Sequence, residues 1–300
     1  MTLPDTMKAM ILTGHGGLDK LEWREDVRVP RPAAGEVLIR VGASAVNNTD
    51  VNTRTGWYSK AVRGDTNSAA ATSYEGASDA DGAWSGALSF PRIQGADCCG
   101  EIAAVGDGVD IARIGERVLV RPMHRPAGGD AEALVTFGSE RDGGFAEFTT
   151  VEAEHALRID SPLSDVELAS FPCAFSTAEG MIQRAELGAE RVLITGASGG
   201  VGSAAVQLAK RRGAHVTAVT SPAKVADLKA LGADAIIGRE DARAARGAGG
   251  AWSLCHLRGH CRSDRGAGPA HALPQGPDTD RQHSAGPRSL YRPCGLYRTG

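Results

Sequence analysis

The run Gly196-Ala197-Ser198-Gly199-Gly200-Val201-Gly202 carries the clearest chemical signal in the chain. It follows the β-prone stretch RVLIT and opens the helical pattern GGVGSAAVQLAKRRGA. Gly199 and Gly202 keep the spacing of the last two glycines of the G-x-G-x-x-G fingerprint, with Ala197 in the first place and Gly196 just before it. Bare backbone at such positions lets a pyrophosphate approach a helix N-terminus, where free N–H groups and the helix dipole favour an anion. Gly196, Ala197, Gly199, Gly200, Val201 and Gly202 are therefore candidate cofactor-binding positions. The alternative is an ordinary tight turn; the strand before and the helix after favour the fingerprint.

A second strand, HVTAVT, ends at Thr220, about twenty residues past the glycines, where an acid would grip a ribose 2′-hydroxyl. The residues there are Thr220, Ser221, Pro222, Ala223 and Lys224. No acid repels a phosphate at this place, and two hydroxyls and a lysine can hold one. Thr220, Ser221 and Lys224 thus favour NADP(H) over NAD(H). The alternative makes Lys224 a solvated helix residue and Ser221 only its N-cap.

These residues need a parallel sheet to position them. RVLIT, HVTAVT and DAIIG read as strands, separated by the helical patterns 199–214 and PAKVADLKALGA. Strand–helix–strand–helix–strand is the first half of a doubly wound sheet. Upstream, SPLSDVELASFPCAFSTAEGMIQRAELGAE is helical, with Ser164 and Glu167 spaced as a capping box. Residues 1–150 instead read as β-rich: MKAMIL, the alternation Val37, Ile39, Val41, then GEIAAVGDGV, GERVLVRP and GGFAEFTTV. Residues 59–90 are small, polar and acidic, and read as a long surface loop. The expected fold is α/β, with a β-rich domain over residues 1–160 and a partial dinucleotide-binding domain over 161–250.

Composition sets the class. Apolar residues make up 42% and charged residues 23%, as in ordinary globular chains, and the net charge of −3 implies no attraction to nucleic acid or anionic membrane. No stretch of eighteen apolar residues and no signal-like N-terminus is present, so a cytoplasmic protein without a membrane span is expected. Six cysteines are too few for a disulfide scaffold of this size.

The averages hide a split. Residues 251–300 contain no Val, Ile, Phe, Met, Lys or Glu, but hold seven of the arginines and four of the eight histidines. Seven arginines against three aspartates give this segment +4, leaving −7 on residues 1–250. Five leucines without β-branched aliphatic partners build neither a buried strand nor a core. The sheet is therefore expected to stop after three strands, and 251–300 to be a disordered, non-native tail.

A β-rich domain leading into such a sheet resembles the medium-chain dehydrogenase/reductase superfamily. The resemblance runs through GEVLIRVGASAVNNTD, FPRIQGADCCGEIAAVG, GERVLV, GGFAEFTTV, ELASFPCAFSTAEGMI and RVLITGASGGVGSAAVQLAKRRGAHV, about residues 7–240. It implies a GroES-like barrel domain, a Rossmann domain, and a substrate in the cleft between them. Of the three catalytic zinc ligands of the zinc-binding members, the first maps to Asn47, the second to Ala96, and only the third keeps its cysteine, Cys173. One thiolate is too few, since zinc sites need three or four protein ligands. Residues 123–142 also lack the cysteines of the structural zinc lobe. The resemblance thus implies a zinc-independent, quinone oxidoreductase-like member that transfers hydride from NADPH to a quinone, enone or aldehyde. Asn47 and Asp50 map to the substrate side: Asn47 as a donor to a carbonyl oxygen, Asp50 as a residue fixing the loop. Both are equally readable as turn formers. Thr177 maps to a nicotinamide contact. His15, His124 and His155 have no partner visible in the spacing and receive no role.

The tail reads differently in another frame. His256–Cys261 can be written CAC CTC CGG GGC CAT TGC. Without its first base this encodes TSGAIA. With third bases chosen among the permitted ones, the tail continues as TSGAIAGAIVELDLRTLYLKDLTLIGST and later EVFTDLVGYIERG. That text is apolar, periodic and similar to the family's later Rossmann elements. The reading implies a frameshifted C-terminus, a catalytically inactive product as the alternative function, and loss of the family's homodimer contact. A zinc knuckle on Cys255, His256, His260 and Cys261 is the rival, and its adjacent Cys-His pairs strain a tetrahedral site.

Overall fold

The computed structural model describes residues 3–63, 71–125 and 134–242, together with the backbone of 254–256. The chain divides into two compact units, Met1–Ser176 and Thr177–Gly300.

The first unit is mostly antiparallel sheet. Its strands are β1 (Thr6–Leu12), β2 (Leu21–Arg28), β3 (Glu36–Ala43), β4 (Arg92–Ile93), β5 (Cys99–Val105), β6 (Arg117–Val120), β7 (Met123–His124), β8 (Val135–Thr136), β9 (Phe148–Glu152) and β10 (Ala156–Arg158). Helix α1 (Asn48–Thr55) lies between β3 and β4, and α2 (Asp165–Ala169) follows β10. Five strands form one sheet in the order β10-β6-β5-β3-β9, three form a second in the order β2-β1-β4, and β7 pairs with β8. The alternation of Val37 and Ile39 on β3 puts both into a core with Cys98, Ile102, Val118, Val120, Phe137 and Val151. Gly100 lets β5 approach β3, because a Cβ there would stand 2.2 Å from Arg40 O.

Ser164 and Glu167 form the expected capping box at the start of α2. Residues 59–90, expected to be a surface loop, are more than that: Val62 and Tyr74 pack with Trp57 into a small core of their own, and Ser59, Ala83 and Leu88 are buried. Few apolar residues sufficed because Trp57, just upstream, supplies a large surface to cover.

Helix α3 (Pro172–Arg184) contains the division between the units, and the second unit continues as β11 (Arg191–Thr195), α4 (Gly200–Arg211), β12 (His215–Thr220), α5 (Val225–Ala230) and β13 (Ala235–Gly238). A fourth strand, β14 (Leu254–His256), completes a parallel sheet in the order β13-β12-β11-β14. This corrects the expected stop after three strands. β14 pairs through Leu193↔Leu254, Ile194↔Cys255 and Thr195↔His256. Without it, β11 would present a row of unpaired N–H and C=O groups, and an extended backbone satisfies these whatever its side chains. The remainder of the expected disorder, over 251–253 and 257–300, lies outside the described residues. Among the described residues no helix is long and apolar enough to cross a membrane.

The core beneath β3 and β5 carries the loops that build the site, so its integrity is measurable first. Ile102 is fully buried, and Ile102→Ala is expected to remove about 2–5 kcal/mol from the unfolding free energy in urea. Ile111 is 73% exposed, and Ile111→Ala should change stability by less than about 0.5 kcal/mol.

Candidate functional site

Two constellations carry chemistry, one in each unit. The first is a buried polar corner where the N-terminus of α1 meets the segment between β4 and β5. Asn47 is the N-cap of α1 and Asp50 lies in its first turn. The Asp50 carboxylate accepts from Asn47 N through Oδ2 (2.8 Å), and from Gly95 N and Ala96 N through Oδ1 (both 3.1 Å). Gln94 Nε2 donates to the Asp50 carbonyl (2.9 Å). All these partners hold Asp50 in place, and its acceptors are taken up by backbone. Burial raises its pKa to about 6 against the opposing effect of the amides.

Asp97 is a member of the corner that its sequence neighbourhood did not reveal. It is 1% exposed, accepts from Asn47 Nδ2 through Oδ2 (2.6 Å), and accepts from Cys173 N through Oδ1 (2.6 Å). Its carbonyl accepts from Ser44 Oγ. Burial lifts its pKa to about 6 as well. A signal was present, since a lone acid in the run GADCCG entering a buried strand must have partners. Thr49 and Tyr58 were also missed. Thr49 Oγ1 and Tyr58 Oη lie 3.0 Å apart, and burial pushes the phenol well above its ordinary pKa.

This corner is where the resemblance maps catalytic zinc ligands, and its residues do not fit that metal. Asn47 gives its side-chain amide to Asp97, and Ala96 offers no ligand atom. Cys173 is the one thiol left of the mapped set, and a single protein ligand is too few for a zinc site. Cys98 and Cys99 are buried, Cys98 in the barrel core and Cys99 beside Asp165.

The second constellation is the glycine turn of the second unit. Gly196 has φ +62°, a conformation that L side chains avoid. Gly199 caps α4, and Gly200, Val201 and Gly202 form its first turn. A Cβ on Gly202 would stand 2.2 Å from Gly196 O and 2.7 Å from Ala197 Cα, so only glycine lets the helix start this close to the strand. Ala197 is fully buried beneath the turn. The first amides of α4 have no carbonyl within the helix to pair with, which suits a pyrophosphate. The cradle therefore fits a dinucleotide. Thr220 ends β12 with a buried hydroxyl that makes no hydrogen bond among the described residues, whereas Ser221 is half-buried and Lys224 exposed, its Nζ 3.1 Å from Asp227 Oδ2. Thr177 is exposed on α3, one turn past Cys173.

The corner makes a specific prediction about pH. For both acids the folded pKa, about 6, exceeds the ordinary 3.8, so the folded state holds protons that the unfolded state has released. Their contribution is present at low pH, falls as pH rises from 3.8 to about 6, and is flat above. Asp97→Asn should remove its share of this slope in urea unfolding measured across pH. It also sets an NH2 group against a donor, and should lower stability at pH 7 by about 1–3 kcal/mol.

Comparisons with known proteins agree with this geometry. The family described as "Alcohol dehydrogenase GroES-like domain" matches residues 33–161. A solved structure from Sinorhizobium meliloti 1021, provisionally described as an alcohol dehydrogenase, is 46% identical with a TM-score of 0.70, over 84% of this chain and 68% of that one. The 2-methylene-furan-3-one reductase of Solanum lycopersicum is 30% identical over 240 residues, 79% of this chain and 53% of the relative. The acryloyl-coenzyme A reductase of Metallosphaera sedula is 30% identical over 242 residues, 77% of this chain and 64% of the relative. The chain thus spans between half and two thirds of the length of these curated relatives. With the antiparallel sheets, the four-stranded parallel sheet and the glycine turn in place, these likenesses show that the chain belongs to the medium-chain dehydrogenase/reductase superfamily.

Proposed function

We propose that the chain is built for NADPH-dependent reduction of a small activated carbonyl compound, an enone, quinone or aldehyde, without a catalytic zinc. Two observations, one in each unit, carry this reading: a turn that requires glycine at 196 and 202, and a polar corner whose Asn47 amide and Asp97 carboxylate bind each other. The two curated relatives are named for reduction of a methylene-furanone and of acryloyl-coenzyme A, both α,β-unsaturated carbonyl compounds. That supports an enone above the other two classes.

Bound at the turn, the reduced dinucleotide supplies the hydride. Hydride arriving at the substrate's β-carbon would leave an enolate, whose oxygen carries negative charge and needs a donor and whose α-carbon then takes a proton from water. Asn47 can be that donor, because its amide carries two hydrogens and gives one of them to Asp97. Asp97 orients the amide and Asp50 fixes the loop. Tyr58 keeps its proton at Oη next to Thr49 and is a second donor toward the oxygen that gains charge. At the adenosine end Ser221 and Lys224 would receive the 2′-phosphate, with Thr220 beneath them. The Lys224–Asp227 pair is exposed and exchanges readily for a phosphate partner. We place this enzyme in the cytoplasm, with a small molecule as its partner and neither nucleic acid nor membrane.

A second reading rests on the tail. Residues 251–300 lack Val, Ile, Phe, Met, Lys and Glu and restore family-like text in another frame. On that reading the polypeptide is a catalytically inactive family member without the homodimer contact. Sequencing the locus and assaying the chain separate the two: a continuous in-frame gene and steady NADPH-dependent enone reduction support an enzyme. A one-base frame change and no turnover support the inactive product.

Calorimetric titration should find NADPH bound more tightly than NADH, and Lys224→Ala should narrow the difference. Equal or tighter NADH binding would refute the assignment. Gly202→Ala should abolish dinucleotide binding while leaving the far-ultraviolet spectrum of the fold intact, because the added Cβ meets Gly196 O.

A further inference from the structure

The first unit holds a second polar cluster that shares no residue with the corner. His124 lies on β7, Glu152 ends β9, and His155 lies in the single 3₁₀ turn that follows. Each offers one ligand atom, and the three atoms lie within 4.8 Å of one another. Both histidines are 4% exposed. None of their four ring nitrogens makes a hydrogen bond among the described residues, although all are buried. The rings lie face to face with centroids 4.0 Å apart and planes tilted by 33°. Two buried imidazoles in contact, with no ring nitrogen in a hydrogen bond among the described residues, are a costly arrangement unless something binds their lone pairs.

We propose that His124, Glu152 and His155 form a binding site for a divalent transition-metal ion of the zinc type, which clamps the turn after β9 to the β7–β8 ribbon. His124 Nε2 stands 3.3 Å from Glu152 Oε2. That matches the edge of a tetrahedron with metal–ligand bonds of about 2.0–2.1 Å. Two imidazoles and a carboxylate are a borderline donor set, suited to zinc or cobalt and poor for calcium or magnesium. The fourth position falls to water or to Glu154, whose Oε1 is 3.6 Å from His155 Nε2.

The surroundings suit this use. Arg121 N donates to His155 O (2.9 Å), tying the chain leading into β7 to the histidine-bearing turn. Arg141 donates to Glu152 Oε2, to Glu36 Oε1 and to Thr150 O, and so orients the ligating carboxylate from behind. Its charge opposes the ion, but is divided between two carboxylates. Glu152 is partly open to solvent and gives the ion a way in.

The test uses the full-length chain, stripped of metal and titrated calorimetrically with zinc chloride. One saturable site per chain is expected, with a rise in the thermal midpoint on loading. His124→Gln and His155→Gln should each weaken binding by more than about tenfold. Cys173→Ser and a Cys255→Ser/Cys261→Ser double variant should bind like the parent. Cobalt(II) loaded into the unmodified chain gives a readout independent of any variant: ligand-field bands of an N/O site, without a sulfur charge-transfer band. The proposal is overturned by no saturable site in the parent chain, by parent-like binding in both histidine variants, by loss of the site with the tail cysteines, or by a cobalt–thiolate band.

Discussion

Two buried carboxylates organise the first unit. Asp50 gathers amides from Asn47, Gly95 and Ala96 onto one side chain, and Asp97 joins Asn47 to Cys173 at the start of α3. Chain segments distant in sequence are thereby held at fixed separations by charge-assisted hydrogen bonds. Each carboxylate is costly to bury and is tolerated only with its full set of donors. Removing one donor therefore disturbs the loop, the helix start and the strand entry together. This also explains how the corner stays ordered: the Asn47 amide and the Asp97 carboxylate satisfy one another across it.

The second unit rests on a steric constraint instead. Strand β11 can turn into α4 within so few residues only because Gly196 takes a left-handed conformation and Gly202 has no Cβ. That closeness leaves the first amides of α4 open, and the parallel sheet carries the turn. The sheet in turn needs a neighbour for β11 on each side. β12 supplies one, in parallel register from Arg191↔His215 to Ile194↔Ala218. β14 supplies the other through its backbone, which needs no particular residue type.

The sequence by itself determined much of this. The α/β class, the parallel strands around the glycine turn, the capping box at Ser164 and Glu167, and the family were all legible, because each depends on residues close together in the chain. Periodicity reports which face is buried, and a missing Cβ reports how near two backbones pass.

Tertiary structure alone decided the rest. Asp97 and Tyr58 join the corner through partners 50 and 9 residues away, and the run GADCCG shows that Asp97 needs partners but not which ones. Residues 59–90 read as solvated because their composition is polar, yet a few of them cover Trp57. The tail was read as adding no strand because its side chains are unsuited to a core, but an open strand edge selects backbone. His124 and His155 are 31 residues apart with no motif between them, and only the folding of β7 against the turn after β9 brings two imidazoles and a carboxylate together. In each case the deciding energy is desolvation of polar groups, which depends on what surrounds an atom in space and not on its neighbours along the chain.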